Sequence, residues 1–338
     1  MYPLLFILFG FLVGYFFDIP DIKNSSYITF ISDFALAVGL YGSVYGIDVN
    51  TLKKNMEVVF LAITIGVILK IALIGGILWL YMDSPVAFLL AAIIAQIDPL
   101  SISALEKSKY LSKDGETILR AWSSFDDPIT IIISLWLAMF IYVHGDSDFN
   151  ITISTAATTF YYNLFMAVVI YFLWRFLRPL NKIVTCISLL IISFFLAIYF
   201  ELFLGLAVIA LFVRPPLYDK ENIIIFITLL IVSLILGLLI SNGINLIVGL
   251  ILGILTIISQ AVVSFFLTEK MSFNDKVKLS FAHQSGITAI SLSLYFIQYD
   301  SLLIQSISVA IITINFGYII SNWIIDCYVI PIHHNKKL

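Results

Sequence analysis

Long apolar runs alternate along the chain with short polar breaks, and each run is close to the length a bilayer demands. A helix needs about 20 apolar residues to cross the hydrocarbon core. Reading run against break gives twelve helical spans, roughly 3–18, 27–47, 57–81, 85–105, 117–142, 151–176, 183–200, 202–214, 222–240, 243–267, 279–297 and 302–330. The seventh and eighth are parted only by "FELFLG", and the eighth is short. The opening "MYPLLFILFGFLVGYFF" has no basic leader and no small-residue cleavage site, so it reads as the first span and not as a removed signal.

Composition supports this pattern. Hydrophobic residues make up 61% of the 338 and charged ones 12%, and mean hydropathy is +1.08. That is too little polar surface to cover a water-soluble globule, so the expected fold class is an all-α membrane protein bathed in lipid. The formal net charge of −3 includes no basic stripe that would displace phosphate counterions, which excludes a nucleic-acid partner. Cys186 and Cys327 lie in separate apolar segments without ligand spacing and read as small buried hydrophobes.

Charge then orients the spans. With the N-terminus inside, all of the 18 Lys and Arg except Lys23 and Lys70 fall in inner loops or at inner helix ends, among them Lys53, Lys54, Lys107, Lys109, Arg178, Arg214 and Lys270. The positive-inside rule therefore places both termini in the cytoplasm, in the inner or plasma membrane of a prokaryote. The tail "PIHHNKKL" is expected to be solvated, its histidines included, which leaves one transmembrane domain over 1–338.

Depth picks out the chemistry. The fourth span, "PVAFLLAAIIAQIDPLSISAL", places Asp98 and Pro99 near or somewhat past its middle; Pro99 removes a backbone donor and disfavours helix at Asp98. Broken backbone inside a bilayer is tolerated only where protein buries it or it lines a cavity. The fifth span reaches Asp126 and Asp127 in "WSSFDDPIT" after about ten residues, so three carboxylates share one depth. Ser123 is one turn before Asp127 on the same face, where its hydroxyl can join a carboxylate around a small hard cation. The bland reading has Asp98 and Asp127 capping broken helix ends.

The eleventh span carries a second irregularity, "FAHQSGITAISL", with His283, Gln284, Ser285 and Gly286. Interrupted helices in spans four and eleven must run in opposite directions, the arrangement of an inverted-repeat secondary transporter with its site at the crossing. Gly286 alone is equally explained as a close helix contact. Lys70, near the centre of the third span, is too deep to snorkel and needs a carboxylate partner, either Asp126 or Asp33. Glu201 and Asp326 lie near span ends and read as interfacial.

"AAIIAQIDPLSISAL" followed by "ILRAWSSFDDPITIIIS" resembles the paired signature of the monovalent cation/proton antiporters, the sodium/proton exchanger family. There an alanine-rich helix bears Thr-Asp-Pro, and the next bears Glu-Ser-x-x-Asn-Asp or Asp-Asp. "DFALAVGLYGSVYGIDVNTLKK" and "LAIYFELFLGLAVIALFV" are similar to further family segments in the same order. The resemblance implies an inverted-repeat fold and a homodimer. It further implies a Na⁺ and proton site at Asp127, with Asp98 holding the crossing and Ser123 as accessory ligand. Ile97 stands where the family has Thr, leaving its carbonyl as the available ligand; Trp122 stands at the usual Glu; and Gln260 is near the family's Arg or Lys. Asp126 thus lacks the family's lysine. His283 and Ser285 are supporting candidates.

The function expected is exchange of a monovalent cation, Na⁺ first, for H⁺, with no cofactor beyond the transported ions and no enzymatic activity. A sodium-coupled solute symporter or a non-transporting sensor is the alternative. An intramembrane aspartyl protease is excluded by the absence of Gly-x-Gly-Asp and by the proline after Asp98.

Overall fold

The computed structural model describes residues 2–17, 26–45, 56–97, 111–143, 149–177, 179, 182–215, 220–241 and 243–329. Among the described residues there are helices and turns and no strand. Hydrocarbon offers backbone groups no hydrogen bonds, so an open sheet edge would be left unpaired, whereas a helix satisfies itself.

In chain order the helices are α1 (Tyr2–Phe17), α2 (Ser26–Tyr45), α3 (Met56–Met82), α4 (Val86–Ile94), α5 (Lys113–Ala138), α6 (Phe149–Leu177), α7 (Lys182–Phe200), α8 (Phe203–Ile209), α9 (Lys220–Ile240), α10 (Leu246–Leu267), α11 (Phe273–Ser280), α12 (Ile287–Tyr295) and α13 (Ser301–Ile324). Helices α2, α3, α5, α6, α7, α9, α10 and α13 contain stretches long and apolar enough to span a membrane. The fourth apolar run stops at Ile94, and the eleventh is divided between α11 and α12. Pro128 lies inside α5 without ending it. The "FELFLG" break falls at Glu201, whose φ of 57° is left-handed and turns the chain from α7 into α8.

One boundary needs correction. The eleventh helical unit begins at Phe273, well before the apolar stretch that starts at 279, because its polar first half finds partners within the protein. Asp275 accepts from Ser112 N (2.8 Å), Ser112 Oγ (2.9 Å) and Ser272 Oγ (2.7 Å). Lys278, read from the sequence as an inner-loop charge, is buried and pairs with Asp326 at 2.6 Å.

Close helix contacts are made through glycine. Gly10 and Gly14 of α1 lie against Leu234, Gly237 and Leu238 of α9 and Ser241 just beyond it, while Gly237 meets the Ile7 carbonyl; a Cβ at Gly10 or Gly237 would collide with backbone. Gly249 and Gly253 of α10 bring that helix onto Ser306, Val309, Ala310 and Thr313 of α13 in the same way. Both pairs have the Gly-x-x-x-Gly spacing that lets helix backbones approach when lipid supplies no hydrophobic drive. Inside this frame α4 contacts α3, α5, α10, α12 and α13, so its interrupted end lies among five helices.

Candidate functional site

Stopping a helix inside a membrane frees backbone groups that only protein can satisfy. After Ile94, residues Ala95, Gln96 and Ile97 continue without helical structure; Asp98 and Pro99 lie outside the described residues. Lys70 of α3 reaches this break, and its Nζ donates to the Ala95 carbonyl at 2.6 Å and to Asp126 Oδ2 at 2.7 Å. The same carboxylate oxygen accepts from the Ile97 N–H at 3.2 Å. Of the two partners open to Lys70 in the sequence, the structure selects Asp126 and not Asp33.

Both side chains of the pair have 0% exposure. Desolvating two charges is expensive, and removing one partner from such a pair costs about 3–5 kcal/mol because the other is left buried and alone. Trp122, one turn before Asp126, forms the wall of this pocket with Ala62, Ile97 and Val263. Its ring centroid is 5.5 Å from the Lys70 ammonium, a cation–π distance.

Asp127 follows immediately but points elsewhere, since successive helical residues are turned by about 100°. It is fully buried, and its Oδ2 accepts from Thr288 Oγ1 at 3.0 Å. Thr288 is the second residue of α12, so the carboxylate sits beside that helix's first turn, where unpaired N–H groups and the positive end of the dipole favour an anion. Ser123 is buried on α5, with its hydroxyl donating to the Arg120 carbonyl at 3.1 Å; its lone pairs remain acceptors. Ile97 faces Asp126 with its amide. Thr130 Oγ1 lies within 3.0 Å of Gln96 Oε1 and of the Asp126 and Asp127 carbonyls, and its single proton serves one of them at a time.

The second interruption is held by the same means. Asn315 of α13 accepts from Ser285 N at 3.2 Å and donates to Ser285 O at 3.1 Å, satisfying both backbone groups of that residue. Asn322 donates to the Phe281 carbonyl and Gln260 to the Leu279 carbonyl, each at 3.2 Å. Gln260 therefore supports the end of α11 and is not part of the lysine–carboxylate pair. His283 is buried in the break, within electrostatic reach of Lys70. Thr288, Asn315, Gln96 and Thr130 are site residues that reading by motif passes over. Asn315 did leave a signal, as an isolated amide inside an apolar run.

A model of the family described as "Sodium/hydrogen exchanger, transmembrane" matches residues 1–332. The chain belongs to that exchanger family. Among curated relatives, a low-affinity Na⁺/H⁺ antiporter, NhaS1 of Synechocystis sp., is 29% identical over 157 residues, covering 46% of this chain and 29% of that protein. The match thus spans less than a third of the relative's length. Among solved structures, the sodium proton antiporter MjNhaP1 of Methanocaldococcus jannaschii at pH 8 superposes with a TM-score of 0.76 at 16% identity, covering 94% of this chain and 92% of that one. A second structure of MjNhaP1, an electron-microscopy map, gives 0.66 at the same identity, covering 94% and 88%. At that identity the likeness is one of fold: this exchanger-family chain is an all-α membrane protein with the antiporter architecture.

Proposed function

We propose that the chain exchanges a monovalent cation, Na⁺ in the first place, for H⁺ by alternating access, at one carboxylate that binds either. The observation that carries this reading is the division of labour at the paired aspartates. Asp126 is committed to Lys70 and to the broken backbone of α4. Asp127, buried beside it, accepts from the neutral Thr288 hydroxyl of α12.

A carboxylate buried in low dielectric binds a hard cation or a proton in preference to remaining a bare charge. Asp127 thus carries one cargo or the other, and the family's proton-coupled exchange follows from that competition. Asp98 supports the crossing, and Ser123 and the Ile97 carbonyl are the accessory oxygens. The positive-inside pattern supports a cytoplasmic position for both termini of a single transmembrane domain, read as lying in a prokaryotic cell membrane. A homodimer is the assembly that the family resemblance implies.

Purified protein in proteoliposomes with an internal acid load and a quenched pH dye tests the activity. Addition of Na⁺ is expected to dequench the dye, with K⁺ and Li⁺ arms setting selectivity. No response to any monovalent cation, or a response only with an organic solute present, contradicts the proposal.

Thr288→Val keeps the side-chain volume and removes the donor to Asp127. A hydrogen bond to a charged group is worth about 1.5–3 kcal/mol, so the apparent Na⁺ affinity of exchange is expected to fall roughly ten- to hundredfold while Thr288→Ser stays near wild type. Concentration dependence of the dequenching response reads this directly.

A further inference from the structure

A second group of carboxylates lies away from Asp127, at the end of the bundle where α2 begins and α7 and α12 finish. Asp33 of α2 is 9% exposed, yet its Oδ1 is sealed from solvent and accepts no hydrogen bond among the described residues. Glu201, at the α7–α8 turn, is within electrostatic reach of Asp33 and is itself exposed. Tyr295 of α12 donates to Glu201 Oε2 at 2.8 Å. Tyr295 and Glu201 are thus in contact, Asp33 is within electrostatic reach of both, and no lysine or arginine is paired with either carboxylate among the described residues.

Among the described residues, the neighbouring elements supply none. Beyond α12 a short 3-10 turn, Phe296–Gln298, leads to Tyr299 and to Asp300, the N-cap of α13, and Tyr142 beyond α5 donates to Asp300 Oδ2 at 3.3 Å. Helix α8 is uncharged. Helix α9 carries Lys220 and Glu221 in its first turn, at the end where Ile225 packs on Gly42, which is the far end of α2 from Asp33. The one charged residue of α7, Lys182, is its first and Glu201 follows its last.

A cavity of about 350 Å³ between α5, α6 and α8 is lined by Ile131, Leu135, Phe160, Asn163, Glu201 and Leu204. Ile131 is one turn beyond Asp127, and Glu201 is the one charged residue among the described residues lining this space.

We infer that Asp33 and Glu201, with the Tyr295 hydroxyl, form a second site for a hard monovalent cation, lying between one face of the membrane and Asp127. Like-charged carboxylates repel unless a cation or a proton lies between them, and the burial of Asp33 weakens the screening by water; oxygen donors of this kind suit Na⁺. Exposed Glu201 receives the ion from water, and buried Asp33 holds it nearer the bundle centre. The inference rests on the exchange proposed above and adds a staging site that the paired signature does not contain.

Equilibrium binding of ²²Na⁺ to purified protein at alkaline pH tests it, with Asp127→Asn removing the central site. Asp127→Asn is expected to retain about half of the wild-type stoichiometry, and adding Asp33→Asn or Glu201→Gln is expected to abolish the remainder. Glu201→Gln, at an exposed position, carries the decision if Asp33→Asn does not elute as a folded species. An Asp127→Asn protein that binds no Na⁺, or whose residual binding survives Glu201→Gln, overturns the second site while leaving the exchange reading in place. Wild type that binds no Na⁺ overturns both.

Discussion

Asp127→Asn is expected to reduce exchange to the background of empty liposomes while the protein still folds. The amide has the size of the carboxylate and its oxygen can still accept from Thr288, so the contact between α5 and α12 at 3.0 Å is kept. What disappears is the charge, and with it both the release of a proton and the binding of a cation. Removing a buried charge costs no desolvation, so the thermal transition should stay at or above that of wild type. Asp98→Asn is expected to weaken exchange severely as well, by disturbing the crossing. Cation-dependent proton movement that survived in Asp127→Asn would pass the role to Asp126.

Replacing Lys70 is expected to have the largest effect on stability and to silence transport current. Lys70→Met leaves Asp126 buried without its cation and strips the Ala95 carbonyl of its donor, for a loss of about 3–5 kcal/mol. The double variant Lys70→Met/Asp126→Asn restores most of that, because the amide at 126 still accepts from Ile97 N–H and no lone charge remains. Two protons move for one Na⁺ if Lys70 gives up its proton when the cation arrives beside Asp126. Each net charge is worth about 2.3 kcal/mol per 100 mV. Solid-supported-membrane electrometry on the folded double variant separates the roles. The account expects exchange with no current, whereas a wild-type current in that variant leaves Lys70 with a structural role alone.

The membrane class and the two interruptions were legible because each depends on local sequence. A proline after Asp98 and a polar stretch at 283–286 disturb a helix wherever it lies. The Lys70–Asp126 pair was not legible to that depth, since spacing shows that both residues are deep but not which faces of α3 and α5 oppose. Thr288 was missed because a threonine in an apolar helix is ordinary; it gains meaning only when the break at 281–286 turns the first turn of α12 toward α5. Lys278 misled for the converse reason. Its charge looks like loop, and Asp326, distant in sequence, pairs with it where it is buried.

The central claim is that one carboxylate carries Na⁺ and H⁺ in turn. Its most direct test is the KM for Na⁺ of exchange, measured in proteoliposomes at equal pH on both sides and stepped from alkaline to acid. Competition for Asp127 predicts that KM rises by about tenfold for each pH unit once the site is protonated, steeper if two protons leave, with the maximal rate reached at higher Na⁺. A KM that stays constant across the pH range in which exchange falls away would contradict a shared site.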